Sequence, residues 1–508
     1  MTARRIEVVT VVQVDARHPG LPANLWCALT LLASLGLAAP DAPTMPPEYV
    51  APPRPTDGTN MALTVEKLTN GCDPPRPVVI WAIGSSFTEF LGNGDALIAA
   101  IRERFPNAPD IVYKRMIGGS TSYHFLRGWA RHLVIPDQPD AVLIYNFGKT
   151  EDLEALIVEL RQRTTADILV PTLHWCTNHK DVWPDPDAPN HHQDPPALRE
   201  MCRRHGVEFV ENRREITDYM LANGLKIEDL LVDSVHQNPL AAKIINMNIA
   251  RHFSRPERFG YDPRSRERRI EVESASPDLS RDGSWAPDEA GRGLVANGLA
   301  SMEIRFTGAR VDLIGWTAPD GGTLRVWADG QPASEVETFY ATYVNPDPGN
   351  FIEPQSPQVD LRRAVTDRCP HRVCLGENIV PQHWTILMTS DEGDYTLVGS
   401  VTGPDGEGNA FRPFRSLSGQ VIIEPEMWRL ATTNRARDRF TFEVRRCTEE
   451  KVEFRGPSRK FRCRLAWNLS NGPHTARVEA QGDGPVIVDA FDVFEPPEKG
   501  SDRGEEGG

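Results

Sequence analysis

The sequence predicts a three-layer α/β domain with a parallel sheet, followed by an all-β antiparallel region. Three observations carry that prediction. Between Pro74 and Phe259, short apolar runs alternate with stretches of helical spacing, the pattern of parallel strands covered on both faces by helices. Beyond Arg268 the runs are short, strand-like and separated by Gly, Asp and Pro turns, and none has the length or period of a long helix. The chain of 508 residues has room for about two to four domains, and its 43 Pro and 39 Gly require many turns.

Taken in order, Leu25 to Ala39 (LWCALTLLASLGLAA) is a 15-residue apolar run, shorter than the roughly 20 residues of a membrane span. Arg4, Arg5 and Arg17 precede it and Gly36-Leu37-Ala38 supplies a small-x-small site, so residues 1–39 have the layout of an export signal. A secreted or periplasmic protein with no membrane span after processing is expected; a buried N-terminal helix is the alternative. Seven prolines between Pro40 and Thr56 make residues 40–73 a semi-rigid linker. Within the α/β domain, 74–259, strands are expected at 77–83, 110–117, 140–147, 167–173 and 207–210. Helices are expected near 87–104, 122–133, 151–163, 196–205 and 239–253. Residues 268–495 read as a sandwich region of one or two domains, with hairpin turns at Asp320-Gly321 and Asp329-Gly330. Residues 496–508 read as a disordered tail.

The net charge of −15 offers no phosphate-binding face, which argues against a nucleic-acid partner. The eight cysteines form no CxxC or Cys/His set with zinc spacing, and no metal or other cofactor is expected. Cys369 with Cys374, and Cys447 with Cys463 across an expected hairpin, are close enough in sequence to be disulfides or free thiols. The oligomeric state is not legible.

Ligands of such sheets gather beyond the carboxyl ends of the strands, which directs attention to four segments. Gly84-Ser85-Ser86-Phe87 follows the first strand and places a hydroxyl at a strand-to-helix turn. Gly118-Gly119-Ser120 follows the second, where a glycine lets a backbone N–H approach a substrate oxygen. The third strand ends in Tyr145-Asn146-Phe147-Gly148-Lys149-Thr150, rich in donors. Asp233-Ser234-Val235-His236 puts a carboxylate and an imidazole in one short loop before the last helix. A serine nucleophile needs a base to take its proton, and the base needs an acceptor to fix its tautomer. Ser86, His236 and Asp233 can fill those roles.

His174, after the fourth strand, and Ser85 are candidates for the substrate pocket. His191, His192 and Asp194 lie in the Pro-rich loop 181–196, long enough to form a rim or lid. Trp285, Trp316, Trp327, Trp384, Trp428 and Trp467 are either core or a sugar-stacking platform, and Asn468-Leu469-Ser470 is a glycosylation sequon.

The order Ser, Gly, donor segment and DxxH resembles the SGNH (GDSL-like) hydrolase superfamily over about residues 76–255, through GSSFTEF, GGSTS and DSVHQN. The resemblance implies a flavodoxin-like sheet, with a jelly-roll-like sandwich appended. It also implies Ser86 as nucleophile, His236 as base, Asp233 as its orienting acid, and the N–H groups of Ser86 and Gly119 as oxyanion donors. Ser85 stands where the family has aspartate. Thr150 stands where it has the donor asparagine, so either Thr150 or Asn146 is left to supply the third contact. The activity implied is removal of short acyl groups, often acetyl, from a carbohydrate or small ester. An O-acyltransferase with the same triad and a catalytically degenerate carbohydrate-binding protein are the alternatives.

Overall fold

The computed structural model describes residues 48–118, 130–345, 358–360, 370, 373–428 and 435–499. The export segment 1–39, Gly119, most of the helix expected at 122–133, Cys369 and residues 500–508 of the expected tail lie outside them; the start of that tail is held, the Pro496 and Glu498 carbonyls accepting from the Asn471 amide (2.7 and 3.0 Å). Among the described residues no helix is long and apolar enough to cross a membrane.

Five parallel strands, β1 (Val78–Gly84), β2 (Ile111–Ile117), β3 (Ala141–Tyr145), β4 (Asp167–Pro171) and β5 (Glu208–Val210), form a sheet in the order β2-β1-β3-β4-β5. A short strand from the later β region, Gln358–Asp360, extends it as a sixth member beside β2. Alternate side chains enter two cores, as the two-residue period of a strand requires. Val78, Ile80, Ala82, Leu143 and Leu169 face one core; Trp81, Ile83, Val142, Ile144, Ile168 and Val170 face the other.

Helices α1 (Ala62–Asn70), α2 (Ser86–Glu89), α3 (Asp95–Arg104), α4 (Thr150–Arg163), α5 (Pro195–Arg204), α6 (Asn212–Asn223) and α7 (Pro239–Arg251) surround the sheet. The first core takes Leu68 of α1, Leu97 and Ile101 of α3, Ile216 and Met220 of α6, and Ile244 and Ile249 of α7. The second takes Leu153, Leu156, Ile157 and Leu160 of α4 with Leu198 and Met201 of α5. Burying each such side chain contributes about 1.5–3 kcal/mol.

Three expectations are corrected. Residues 40–73 are not linker throughout: α1 forms there, with Met61, Val65 and Leu68 in the core. It is held by Thr64, whose N–H donates to Asp167 (2.9 Å) and whose hydroxyl donates to the Asp140 carbonyl (2.9 Å). The helix expected at 87–104 is broken at Gly92-Asn93-Gly94, where both glycines have positive φ and a Cβ on Gly94 would lie 2.4 Å from the Tyr113 ring. Helix α6 was not anticipated; its first turn is polar and buries Asn212, Arg213 and Glu215, and its apolar stripe is only Ile216, Tyr219 and Met220.

The β region resolves into a sandwich carrying an insertion. One layer has the order Gln331–Pro332, Thr323–Ala328, Gly472–Gln481, Leu299–Gly308, Leu279–Gly283; the other runs Lys460–Ala466, Arg310–Trp316, Val486–Phe494, Leu294–Ala296, Ala286–Pro287. Between its strands the chain inserts a five-stranded sheet, from Tyr340–Asn345 to Arg439–Arg446, and a three-stranded one, with a separate core around Trp384, Tyr395 and Trp428. Asp329-Gly330 is a hairpin turn with positive φ at both residues. Asp320-Gly321 instead crosses from Arg310–Trp316 in one layer to Thr323–Ala328 in the other, so no hairpin forms there.

Nor do Cys447 and Cys463 flank a hairpin. Lys451–Glu453 pairs with Thr323–Arg325 and Lys460–Ala466 pairs with Val311–Trp316, in different sheets, and both thiols are free. Trp384, Trp428 and Trp467 are core residues rather than a sugar platform, while Trp285, Trp316 and Trp327 are half-buried. The sequon asparagine is also occupied: Asn468 is buried, its amide donates to the Thr338 carbonyl (3.1 Å), and Arg163 donates to its oxygen (2.6 Å). That bond joins α4 to the β region, as does Trp467, which packs into the second α/β core.

Candidate active site

β1 pairs in register with both neighbours, Gly84 opposite Ile117 and Tyr145, so three strands end at one level. That alignment sets Ser85, Gly118 and Asn146 along a common edge. Gly84 is required by packing, since a Cβ there would lie 2.1 Å from Thr88 Oγ1 and 2.3 Å from the Tyr145 carbonyl oxygen. In its absence the Thr88 hydroxyl donates to that carbonyl at 2.6 Å, pinning α2 to β3. Ser85 is buried and accepts from the Phe87 N–H (3.3 Å), which makes it the cap of α2 rather than part of a pocket wall. Ser86, the first residue of α2, points its hydroxyl at His236.

His236 Nε2 stands 2.8 Å from Ser86 Oγ, and His236 Nδ1 stands 2.7 Å from Asp233 Oδ2. Asp233 Oδ1 accepts the N–H groups of Val235 (2.7 Å) and His236 (2.8 Å). Those contacts hold the Asp233 carboxyl well below its usual range, at about 2: the His236 N–H first, then its imidazole, then the Val235 N–H. An ionised carboxylate only accepts, so the imidazole proton sits on Nδ1 and the Nε2 lone pair faces the serine hydroxyl. The loop is narrow: Leu231 bridges Gln237, the Val232 N–H donates to the His236 carbonyl (2.9 Å), and Asn238 caps α7 through the Ala241 N–H (3.0 Å). It is also open to water, the side chains of His236 and Asp233 being 24% and 50% exposed.

Residues not singled out in the sequence complete the site. Phe90 stacks on the His236 ring at 4.4 Å between centroids and 16° between planes. Gln237 donates from Nε2 to the Phe87 carbonyl (2.7 Å), tying the catalytic loop to α2. Gln237 stood next to His236 in sequence, but the contact crosses 150 positions and only the fold reveals it.

His174 is buried with both ring nitrogens bonded, to Tyr145 Oη (2.7 Å) and the Val235 carbonyl (2.8 Å), so it lies behind the loop instead of lining a pocket. Burial pushes it down to about 4, and the ring is neutral. Asn146, directly after β3, is buried, and neither amide atom has a hydrogen-bond partner among the described residues. Thr150 opens α4, half-buried. Loop 181–196 forms a rim here, His192 packing against Phe147 (5.7 Å) and Phe87 (5.9 Å). Asp194 is taken up as the cap of α5, accepting from the Ala197 N–H (3.0 Å).

Cys176, His179 and His192 bring three ligand-type atoms within 4.8 Å of one another. Their hydrogen bonds do not fit a metal. The Cys176 N–H donates to His179 Nδ1 (3.0 Å), which puts that ring's proton on Nε2, facing His192 Nδ1 at 3.1 Å. The Cys176 thiol donates to the Val235 carbonyl (3.4 Å). A cation on His179 Nε2 would drive its proton onto Nδ1, against an N–H. The cluster is a hydrogen-bonded support beside the catalytic loop.

No family model matches the chain, and no curated protein matches it. Among solved structures it is similar to a two-domain esterase active on acetylated mannans, at 10% identity over 84% of this chain and 92% of that one, with a TM-score of 0.29. A mutant acetyl-xylooligosaccharide esterase from Geobacillus Stearmophilus matches at 15% identity over 36% of this chain and 97% of that one, with a TM-score of 0.29. A GDSL-like lipase from Parabacteroides merdae, so described in its own structure, matches at 17% identity over 35% of this chain and 97% of that one, with a TM-score of 0.26. At such scores the overlays carry no argument about activity, which rests on the geometry of Ser86, His236 and Asp233.

Proposed function

We propose that this protein is a serine ester hydrolase that removes short acyl groups, acetyl foremost, from a carbohydrate. The observation that carries the reading is the unbroken chain from Asp233 through His236 to Ser86, at 2.7 and 2.8 Å. Ser86 Oγ attacks the ester carbonyl as its proton passes to His236 Nε2, and Asp233 stabilises the imidazolium. His236 then gives that proton to the departing sugar oxygen as the C–O bond breaks. Water, deprotonated by His236, releases the acid and restores Ser86.

The oxyanion is held by the N–H groups of Ser86 and Gly119, with Asn146 as third donor in preference to Thr150. Asn146, at the strand edge, is a buried amide with no hydrogen-bond partner among the described residues, whereas Thr150 begins a helix four residues on. Losing one such donor costs about a hundredfold to a thousandfold in rate. The carbohydrate part is supported by the open, water-facing triad, which suits a bulky polar alcohol, and by the appended sandwich. Export, with residues 1–39 as signal, belongs to the same proposal.

The test is hydrolysis of p-nitrophenyl acetate and of acetylated xylan and pectin, with fluorophosphonate labelling, by wild type and Ser86→Ala. Turnover and labelling are expected in wild type and absent in the variant. A wild type that is neither labelled nor active would refute the esterase, and activity on the small ester alone would remove the carbohydrate.

A further inference from the structure

Three chain segments must meet for this site to work: the turn after β1 with Ser86, the end of β3 with Asn146, and the loop with Asp233 and His236. The last comes from 150 residues away in sequence and is half open to solvent. Its backbone carbonyls show what holds it. The Ser234 carbonyl accepts from both the N–H and the hydroxyl of Thr177, each at 3.0 Å. The Val235 carbonyl accepts from His174 Nε2 (2.8 Å) and from the Cys176 thiol (3.4 Å). Every one of these donors lies in the segment following β4.

Of these donors His174 alone reaches further. A carbonyl can only accept, so His174 carries its proton on Nε2 and its Nδ1 must accept, which makes the Tyr145 hydroxyl the donor across their 2.7 Å contact. Tyr145 is the last residue of β3 and adjoins Asn146. Its own carbonyl accepts the Thr88 hydroxyl of α2, two residues beyond Ser86. The bonds therefore close a ring: Thr88 to Tyr145, Tyr145 to His174, His174 to Val235, and from the Val235–His236 loop back to Ser86. Gln237 Nε2 donating to the Phe87 carbonyl closes it a second time. Phe87 packs edge-on against the His174 ring at 4.8 Å and fills its middle.

We propose that His174 is a positioning residue: fixed as the Nε2–H tautomer between the Tyr145 hydroxyl and the Val235 carbonyl, it sets the distance from His236 to Ser86. The inference rests on the esterase reading for its consequence in rate, but the position of His236 can be read independently of turnover. Two properties of histidine matter here. A neutral imidazole presents a donor and an acceptor at opposite edges of a rigid ring, and a buried ring that stays neutral adds no charge behind His236. Glutamine offers an acceptor and a donor at comparable reach, whereas phenylalanine keeps the ring and loses both bonds.

The experiment compares His174→Phe, His174→Gln and Tyr145→Phe with wild type in the full chain, by kcat and KM on p-nitrophenyl acetate. The downfield proton resonance of the His236 Nδ1–H held by Asp233 is recorded for each. His174→Phe should lower kcat about tenfold to a hundredfold, the size expected when a reacting group shifts by about 1 Å. KM should change little, and the resonance should broaden or move upfield. His174→Gln should recover most of the kcat and the resonance, and Tyr145→Phe, which keeps both rings and removes the hydroxyl that donates to His174 Nδ1 and accepts the His174 backbone N–H (3.2 Å), should fall between. Folded His174→Phe with wild-type kcat and resonance would overturn the proposal. So would His174→Gln as impaired as His174→Phe, since supplying a donor and an acceptor at that position would then restore nothing. Should His174→Phe fail to fold, an unchanged Tyr145→Phe overturns it. If wild type proves inert toward esters the esterase reading fails, and the resonance series still decides whether His174 places His236.

Discussion

Ser86 and the Asp233–His236 pair are held by opposite means. Ser86 follows a central strand, β1, that is paired on both sides and buried, and its turn is fixed by close packing around Gly84. Asp233 and His236 sit in a loop open to water, and side-chain hydrogen bonds from the segment after β4 and from Gln237 hold it. A packed turn yields only when the fold yields. A tethered loop can lose alignment while the protein stays folded, so substitutions on the two sides should separate stability from rate.

Asp233→Asn attacks the tethered side and should have the largest effect. The substituted amide removes the acceptor that keeps the His236 proton on Nδ1, and kcat should fall on the order of ten-thousandfold. Thermal unfolding should change little, because the Asp233 side chain is half exposed. A kcat within tenfold of wild type would break the comparison. Gly84→Ala attacks the packed side: with backbone oxygen 2.3 Å from the new Cβ, the turn must shift, at a cost of about 1–3 kcal/mol. Denaturant unfolding should show the loss of stability, with activity falling in step, and an unchanged midpoint would refute the packing argument.

The smallest effect is one of pH. The Asp233 carboxyl lies at about 2 in the folded protein against 3.8 ordinarily, so the unfolded chain takes up its proton first on acidification. Its contribution to stability is complete above about pH 4 and is lost as pH falls toward 2. The stability difference between wild type and Asp233→Asn should therefore be constant above that range and shrink within it. A difference that grew on acidification would mean the carboxylate is not held as described.

The strands of the parallel sheet, the turn with Ser86 and the loop with Asp233 and His236 were legible because each is a local signal. A buried parallel strand is a continuous apolar run, and the DxxH loop keeps its two groups three residues apart. Helices α1 and α6 were not legible, since a distant partner stabilises each: α1 through Thr64 on Asp140 and Asp167, α6 through Asn212 and Arg213 on the carbonyls of Thr172 and Leu173. The insertion in the sandwich escaped notice because pairings such as Leu299–Gly308 with Gly472–Gln481 skip over it. His174 stood at the correct strand end, yet which way it faced was decided by Tyr145 and Val235, residues far from it in sequence.

The inserted sheets leave and rejoin the host sandwich at one place. Tyr340 pairs with Arg446 and Asn345 with Thr441, so the chain enters and leaves the insertion through two neighbouring antiparallel strands, a closed stem. Cutting there and joining the ends with a short turn leaves every strand of the host sandwich in place. The insertion is thus separable from the host sandwich at a single stem. It does not hang idle, for Gln358–Asp360 within it lies along β2 and covers what would otherwise be an open sheet edge, the kind of edge that recruits foreign strands. A chain relieved of the insertion would keep its sandwich and expose the β2 flank, so the cost of removing it would fall on the α/β sheet rather than on the domain it interrupts.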